Sequence, residues 1–193
     1  MKAMKYNIPL IIFAGGKSSR MGQDKALLPF GGYTTLSEFQ YKRLSKLFKK
    51  IYISAKENKF DFKANIIEDT NKESSPLVGI ISIFETLNVD KVFILSVDAP
   101  FVNKEVIDKL IHSNNKFDAV IAKSKSGMQP LCGVYKRSVL PIAQENLQEG
   151  NHRLHSLLKK VDTQFVPFSE DTFFTNLNHP HEYEEALNKV TLP

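Results

Sequence analysis

Residues 11–28, IIFAGGKSSRMGQDKALL, run from an apolar stretch into paired glycines and then present Lys17, Arg20 and Lys25 in close succession. These are the parts of a polyphosphate cradle. Gly15 and Gly16 carry no Cβ, so backbone N–H groups there approach a phosphate closely. Arg20 can clamp a phosphate at two points, while Lys25 serves as a movable point charge. Further on, ILSVDAPFV at 94–102 ends an apolar run in Asp98 and Pro100, which holds a carboxylate beside a rigid turn. A turn aspartate could instead cap a helix starting near residue 103, but Asn103 is the better cap. Asp69, after the short run ANIIED at 64–69, is a second acid at a strand end.

The cradle matches none of three familiar phosphate or metal loops. A Walker loop would need glycine at position 11, which is Ile11. A dinucleotide fingerprint would need glycine two residues after Gly15, where Lys17 stands. A calcium loop would need a run of acids that this segment lacks.

The elements that must position these groups follow from hydrophobic patterning. Apolar runs at 8–14, 50–55, 64–69, 91–100 and 117–122 predict strands, with PLCGVYK at 130–136 and TQFVPF at 163–168 as further ones. Helical spacing predicts helices near 36–48, 77–87, 103–112, 138–147, 152–160 and 180–190. The β-α-β-α rhythm argues for an α/β protein with a mainly parallel sheet covered on both faces. In such folds ligands sit beyond the carboxyl ends of strands, where the cradle falls. No linker or repeat divides the 193 residues, so a single domain spanning 1–193 is expected.

Composition narrows the function classes. One cysteine, Cys132, excludes an internal disulfide and fits a reducing compartment; it reads as a small core residue rather than a nucleophile. No run approaches the ~20 apolar residues of a membrane span, and the first apolar run reads as a strand rather than a signal-peptide core. A cytoplasmic protein with no membrane partner is expected. The net charge of +5 favours anionic partners weakly, and no cluster interleaves aromatics with basic residues, so nucleic acid is not expected. The five histidines, including His152, His155, His179 and His181, lack the accompanying ligands of a metal site and read as surface or capping residues.

FAGGKSSRMGQDKALL also resembles the nucleotidyltransferase signature of molybdenum cofactor guanylyltransferases, in which A-G-G, a spacer, R-M-G and D-K-x-L occur in this order. Related enzymes that make sugar nucleotides usually carry proline where this chain has Asp24, and cytidylyltransferases of the pterin usually read A-A-G at Ala14-Gly15-Gly16. The apolar residue before Ala14 is usually leucine and is Phe13 here. The resemblance implies an α/β, Rossmann-like three-layer α/β/α nucleotidyltransferase fold, its mainly parallel sheet including at least one antiparallel strand.

Downstream segments match in order. IIEDTNKESSPLVGI at 66–80 is similar to the family's E-D…P-L-x-G segment, which makes Asp69 the guanosine-binding carboxylate, with Pro76, Leu77 and Gly79 shaping the base pocket. Ser54 stands where the family often has asparagine and keeps one hydrogen-bonding group toward ribose or base. Asp98 falls at the family's Mg²⁺-binding aspartate, and magnesium commonly takes one or two carboxylates plus phosphates and water. Gln129, Arg153, Asn176 and Asn178 lie in segments associated with the pterin side, Arg153 matching a partner for the pterin's terminal phosphate.

The resemblance implies transfer of GMP from GTP to molybdopterin, or its molybdenum-loaded form, with Arg20, Lys25 and Asp98 as catalytic groups and Mg²⁺ as cofactor. Phe13, Ala14, Gly15 and Gly16 would complete the GTP site, the N-terminal half binding GTP and the C-terminal third the pterin. Molybdoenzyme chaperones and other cofactor-biosynthesis proteins are the implied partners. Two other readings stay open: a different nucleotidyltransferase, for CTP or a sugar phosphate, and a GTP-binding module without catalysis. Ala14-Gly15-Gly16 and Asp24-Lys25 count against the first, and the joint presence of Arg20, Lys25 and Asp98 against the second.

Overall fold

Alternation of side chains along the strands sets the layers of this protein. In β1 (Leu10–Phe13), Leu10 and Ile12 enter one apolar core while Ile11 and Phe13 enter another. A computed structural model describes residues 5–15, 22–71, 73–113 and 116–190. The remaining strands are β2 (Ile51–Ala55), β3 (Ile66–Glu68), β4 (Lys91–Ser96), β5 (Ala119–Ser124), β6 (Gly127–Lys136) and β7 (Thr163–Pro167). They form one seven-stranded sheet in the order β3-β2-β1-β4-β6-β5-β7. Every pairing is parallel except those of β6, which runs antiparallel to both β4 and β5.

Helices cover both faces. The first core receives α1 (Leu36–Leu44), α3 (Lys104–Ile111) and α6 (Pro180–Lys189) through Leu36, Leu44, Val106, Leu110 and Ala186. The second receives α2 (Pro76–Thr86), α4 (Leu140–Gln148) and α5 (Leu154–Lys160) through Ile80, Phe84, Ala143, Leu154 and Leu157. Helix α2 is buried almost all round, as its largely apolar run demands, with Ser82 the buried polar residue within it. Ser75 starts it by accepting from the Val78 N–H at 3.2 Å, and Pro76 occupies the first turn, where no amide partner is lost. Among the described residues no helix is long and apolar enough to cross a membrane.

The predicted elements are found within a few residues of their observed bounds, and the main departure is β6. It begins at Gly127, ahead of the apolar run that announces it, because β5 and β6 form a hairpin closed at Ser124 and Gly127. Gly127 sits at φ 129°, which L side chains rarely adopt. The register shifts between Ile121 and Ala122, pairing them with Gly133 and Gln129. That bulge leaves Pro130, Leu131 and Cys132 out of the β5 ladder, and all three line the cleft described below.

Strand order reverses at β1, which lies between β2 and β4, so loops leaving β1 and β4 part at a topological switch point. Phe13 is in register with Ser54 on one side and Ser96 on the other. The cradle and Asp98 therefore leave the sheet at the same level.

Candidate active site

Lys25 and Asp98 meet directly. A single helical turn, Lys25–Leu27, is capped by Asp24, whose carboxylate accepts from the Ala26 N–H at 3.0 Å. The turn aims Lys25 Nζ at Asp98 Oδ2, 2.5 Å away, and at Asn178 Oδ1, 2.9 Å away. Ser96 Oγ donates to the other carboxylate oxygen of Asp98 at 2.6 Å, and the Leu177 N–H donates to its carbonyl at 3.0 Å. Asn103 caps α3 through the Val106 N–H, so Asp98 has no capping duty. Both members of the pair stay partly accessible, at 17% and 14% of their side-chain surface.

Lys59, on the connection between β2 and β3, is a residue that spacing did not single out. Its Nζ donates to the Ala14 carbonyl at 3.2 Å and to the Asp24 carboxylate. It thus ties together the two stems of the cradle, the strand end and the capped turn. Gly16, Lys17 and Arg20 lie outside the described residues.

On the α2 side of the pair lies a cleft of about 390 Å³ lined by Phe13, Gly15, Ser54, Asp69, Pro76 and Gly79, among others. Seven of the residues expected around the nucleotide thus divide cleanly: these six face the cleft, whereas Leu77 is fully buried in the core beneath it. Ala14 is buried as well, and its N–H is spent on the Ser54 carbonyl at 2.9 Å. Burial holds the Asp69 carboxyl above the ordinary carboxylate range, with Lys56 pulling the other way. Gly79 is required by proximity: a Cβ there would stand 2.6 Å from Phe13 Cε1 and 3.3 Å from Ser54 Oγ.

On the other side a larger cleft, about 760 Å³, is lined by Gln129, Arg153 and Asn176 together with Asp98. Arg153, His152 and Pro76 border both clefts, and a smaller hollow of about 170 Å³ at Lys25 and Asp98 shares Phe13 and Gly15 with the smaller cleft and Ser96, Asp98 and Leu131 with the larger. Of the four residues read toward the pterin, Asn178 stands apart, since its amide oxygen is on Lys25 rather than in the large cleft. His152 does more than decorate the surface: its Nδ1 is 3.1 Å from Ser75 Oγ and its Nε2 is 2.9 Å from Glu73 Oε2, linking the start of α5 to the cap of α2. Cys132 is buried, and burial pushes its thiol up to about 12, so no thiolate forms at neutral pH.

The donor set at Asp98 suits a hard divalent cation. It offers one partly accessible carboxylate beside a hydroxyl, which matches magnesium held by a carboxylate and phosphate oxygens. Among the described residues no group of three His, Cys, Asp or Glu side chains offers a cage made wholly of protein. The arrangement can hold an anionic, metal-bearing chain at the junction of two clefts, with a cation ready to neutralise charge.

Comparison with known proteins finds relatives over most of the chain. The family described as the MobA-like NTP transferase domain matches residues 10–164. A molybdenum cofactor guanylyltransferase of Campylobacter jejuni subsp. doylei is 37% identical over 183 residues, covering 93% of this chain and 95% of that protein. A Helicobacter pylori protein of the same name is 38% identical over 189 residues, covering 94% and 92%. Among solved structures, molybdopterin-guanine dinucleotide biosynthesis protein A from Archaeoglobus fulgidus superposes with a TM-score of 0.81 at 20% identity, covering 94% of this chain and 98% of that one. A 2-C-methyl-D-erythritol 4-phosphate cytidylyltransferase from Thermus thermophilus superposes at 0.69 with 14% identity, covering 96% and 99%. At those identities the two structures share the fold alone.

Proposed function

The chain belongs to the MobA-like NTP transferase family, and from that premise we propose that it transfers GMP from GTP to the terminal phosphate of molybdopterin, releasing pyrophosphate. It is a nucleotidyltransferase, read here as one catalytic unit over its whole length. The observation that carries the reading is the Lys25–Asp98 pair in a hollow whose walls are shared with both clefts.

GTP occupies the smaller cleft, with its base and ribose near Ser54, Asp69, Pro76 and Gly79 and its phosphates over Gly15 toward Lys25. Phe13 and Ala14 form the floor. The pterin occupies the larger cleft along Gln129 and Asn176, and Arg153, at the border, holds its phosphate next to the nucleotide. A phosphate oxygen of the pterin attacks the α-phosphorus of GTP in line; the new P–O bond forms as the bond to the bridging oxygen breaks, and that electron pair leaves with pyrophosphate. The nucleophile is already an anion at neutral pH, so no protein base is needed. Positioning and charge neutralisation remain as the protein's contributions. Asp98 would hold Mg²⁺, which when bound supplies neutralisation across the phosphates. Lys25, with Arg20 five residues before it in the sequence, stabilises the leaving pyrophosphate, and Asn178 orients Lys25.

A cytoplasmic setting goes with this reading, as does docking to molybdoenzyme chaperones and other cofactor-biosynthesis proteins. Calorimetric titration with GTP, CTP and ATP in magnesium tests the nucleotide half. GTP should bind selectively, and Asp98→Ala should lose the magnesium dependence. Preference for CTP would move the assignment to a cytidylyltransferase, and equal binding of all three would refute the base pocket described above.

A further inference from the structure

Helix α1 carries a polar seam through an otherwise apolar interior. Ser37 and Gln40 are fully buried, and Arg43 keeps Nη2 shut off from water with no hydrogen-bond partner among the described residues. The three are spaced three apart, so they share one stripe of the helix. Each ends on a main-chain carbonyl. Ser37 Oγ donates to Ala26 at 2.8 Å, Gln40 Nε2 to Val97 at 3.0 Å, and Arg43 Nη1 to Val102 at 2.9 Å. Arg43 Nε also donates to Gln40 Oε1 at 2.7 Å, which joins the last two into one unit.

The three carbonyls are not scattered. Ala26 follows Lys25 in the capped turn, while Val97 and Val102 bracket the turn that carries Asp98. Among the described residues no carboxylate forms an ion pair with Arg43, and burial draws its guanidinium down to about 10. Arg43 is half-buried, its guanidinium lying over the Phe39 ring at 5.9 Å with its hydrogen bonds on carbonyl oxygens, and an apolar side chain would avoid the desolvation of that charge. What the seam delivers is geometry.

We propose that Ser37, Gln40 and Arg43 are positioning residues, a platform that fixes the Lys25 turn and the Asp98 turn relative to each other so that both meet the metal-bearing phosphates. The inference rests on the nucleotide reading of the site and adds to it the origin of its alignment.

The test is Arg43→Met, which removes the charge and keeps an apolar stem. Calorimetry would measure GTP affinity with and without magnesium, and thermal melts would follow the fold. The melting midpoint is expected to stay within about 4 °C of wild type or to rise, since the desolvation cost of a half-buried charge is removed along with its hydrogen bonds. The gain in GTP affinity from magnesium is expected to fall about tenfold, as for other residues that orient metal ligands. Arg43→Lys, which keeps a cation but only one of the two directions, should recover part of it. A full wild-type magnesium gain in Arg43→Met overturns the inference. So does a joint collapse of midpoint and magnesium gain, which would make Arg43 a stability element. Wild-type protein indifferent to magnesium and GTP would overturn the nucleotide reading first and the platform with it.

Discussion

Asp69, on the wall of the smaller cleft, carries an electrostatic cost to the fold. Burial raises its carboxyl above the ordinary value, and Lys56 offsets this in part. For such a group the associated stability is fully present below the ordinary aspartate value of about 3.9 and is lost as pH rises through the raised one. At neutral pH the ionised side chain is therefore a burden that ligand contacts must repay. Asp69→Asn should melt higher than wild type at pH 7, with the difference vanishing near pH 3, and should bind GTP more weakly at pH 7. Equal midpoints at pH 7 would contradict the assigned cause. Residues of this kind, Asp69, Lys25 and Asp98, were legible because their neighbours form ordered motifs. Lys59 and Arg43 were not, since their partners are carbonyls and a carboxylate brought close only by the fold.

At the scale of elements, patterning announced nearly every strand and helix, because buried strands and amphipathic helices differ in period. It did not say which side of an element faces the ligand. The run Pro76-Leu77-Val78-Gly79 reads as one motif, yet Leu77 is core and Gly79 borders the cleft. Gly79 lets α2 approach β1 until only a hydrogen fits against the Phe13 ring. Gly79→Ala should gain up to ~1 kcal/mol of helix propensity, against an overpacking cost of ~1–3 kcal/mol as Phe13 is displaced toward the nucleotide. The net change should be a loss of stability of up to ~2 kcal/mol, accompanied by a loss of GTP affinity of about tenfold for each 1.4 kcal/mol. Thermal melts and titrations on the same samples compare the two; an affinity equal to wild type would show that Phe13 does not wall the nucleotide cleft. In the same way the β6 bulge, unmarked by any apolar alternation, decides that Gln129 and Leu131 reach the larger cleft.

At the scale of the whole molecule, the site exists only through long-range closure. Lys25 contacts residues 73 and 153 positions away, one on the turn after β4 and one just before α6. The parallel sheet brings the first pair level, and the segment around Leu177 returns the C-terminal third onto the Asp98 turn. Under the proposed function, separate stretches of sequence would supply the nucleotide side and the acceptor side of one reaction. Motif order suggests that division; the hydrogen bond from Lys25 to Asn178 was not legible, because an asparagine near a chain turn carries no mark of its partner. The most direct test of the account is mass-spectrometric detection of product from purified protein, magnesium, GTP and molybdopterin, with CTP and ATP in parallel and Lys25→Ala as a control. A pterin guanine dinucleotide with one equivalent of pyrophosphate is expected from GTP alone, and a rate lower by about 10²–10³-fold in the variant. GTP bound without any dinucleotide formed, or a variant as fast as wild type, would contradict it.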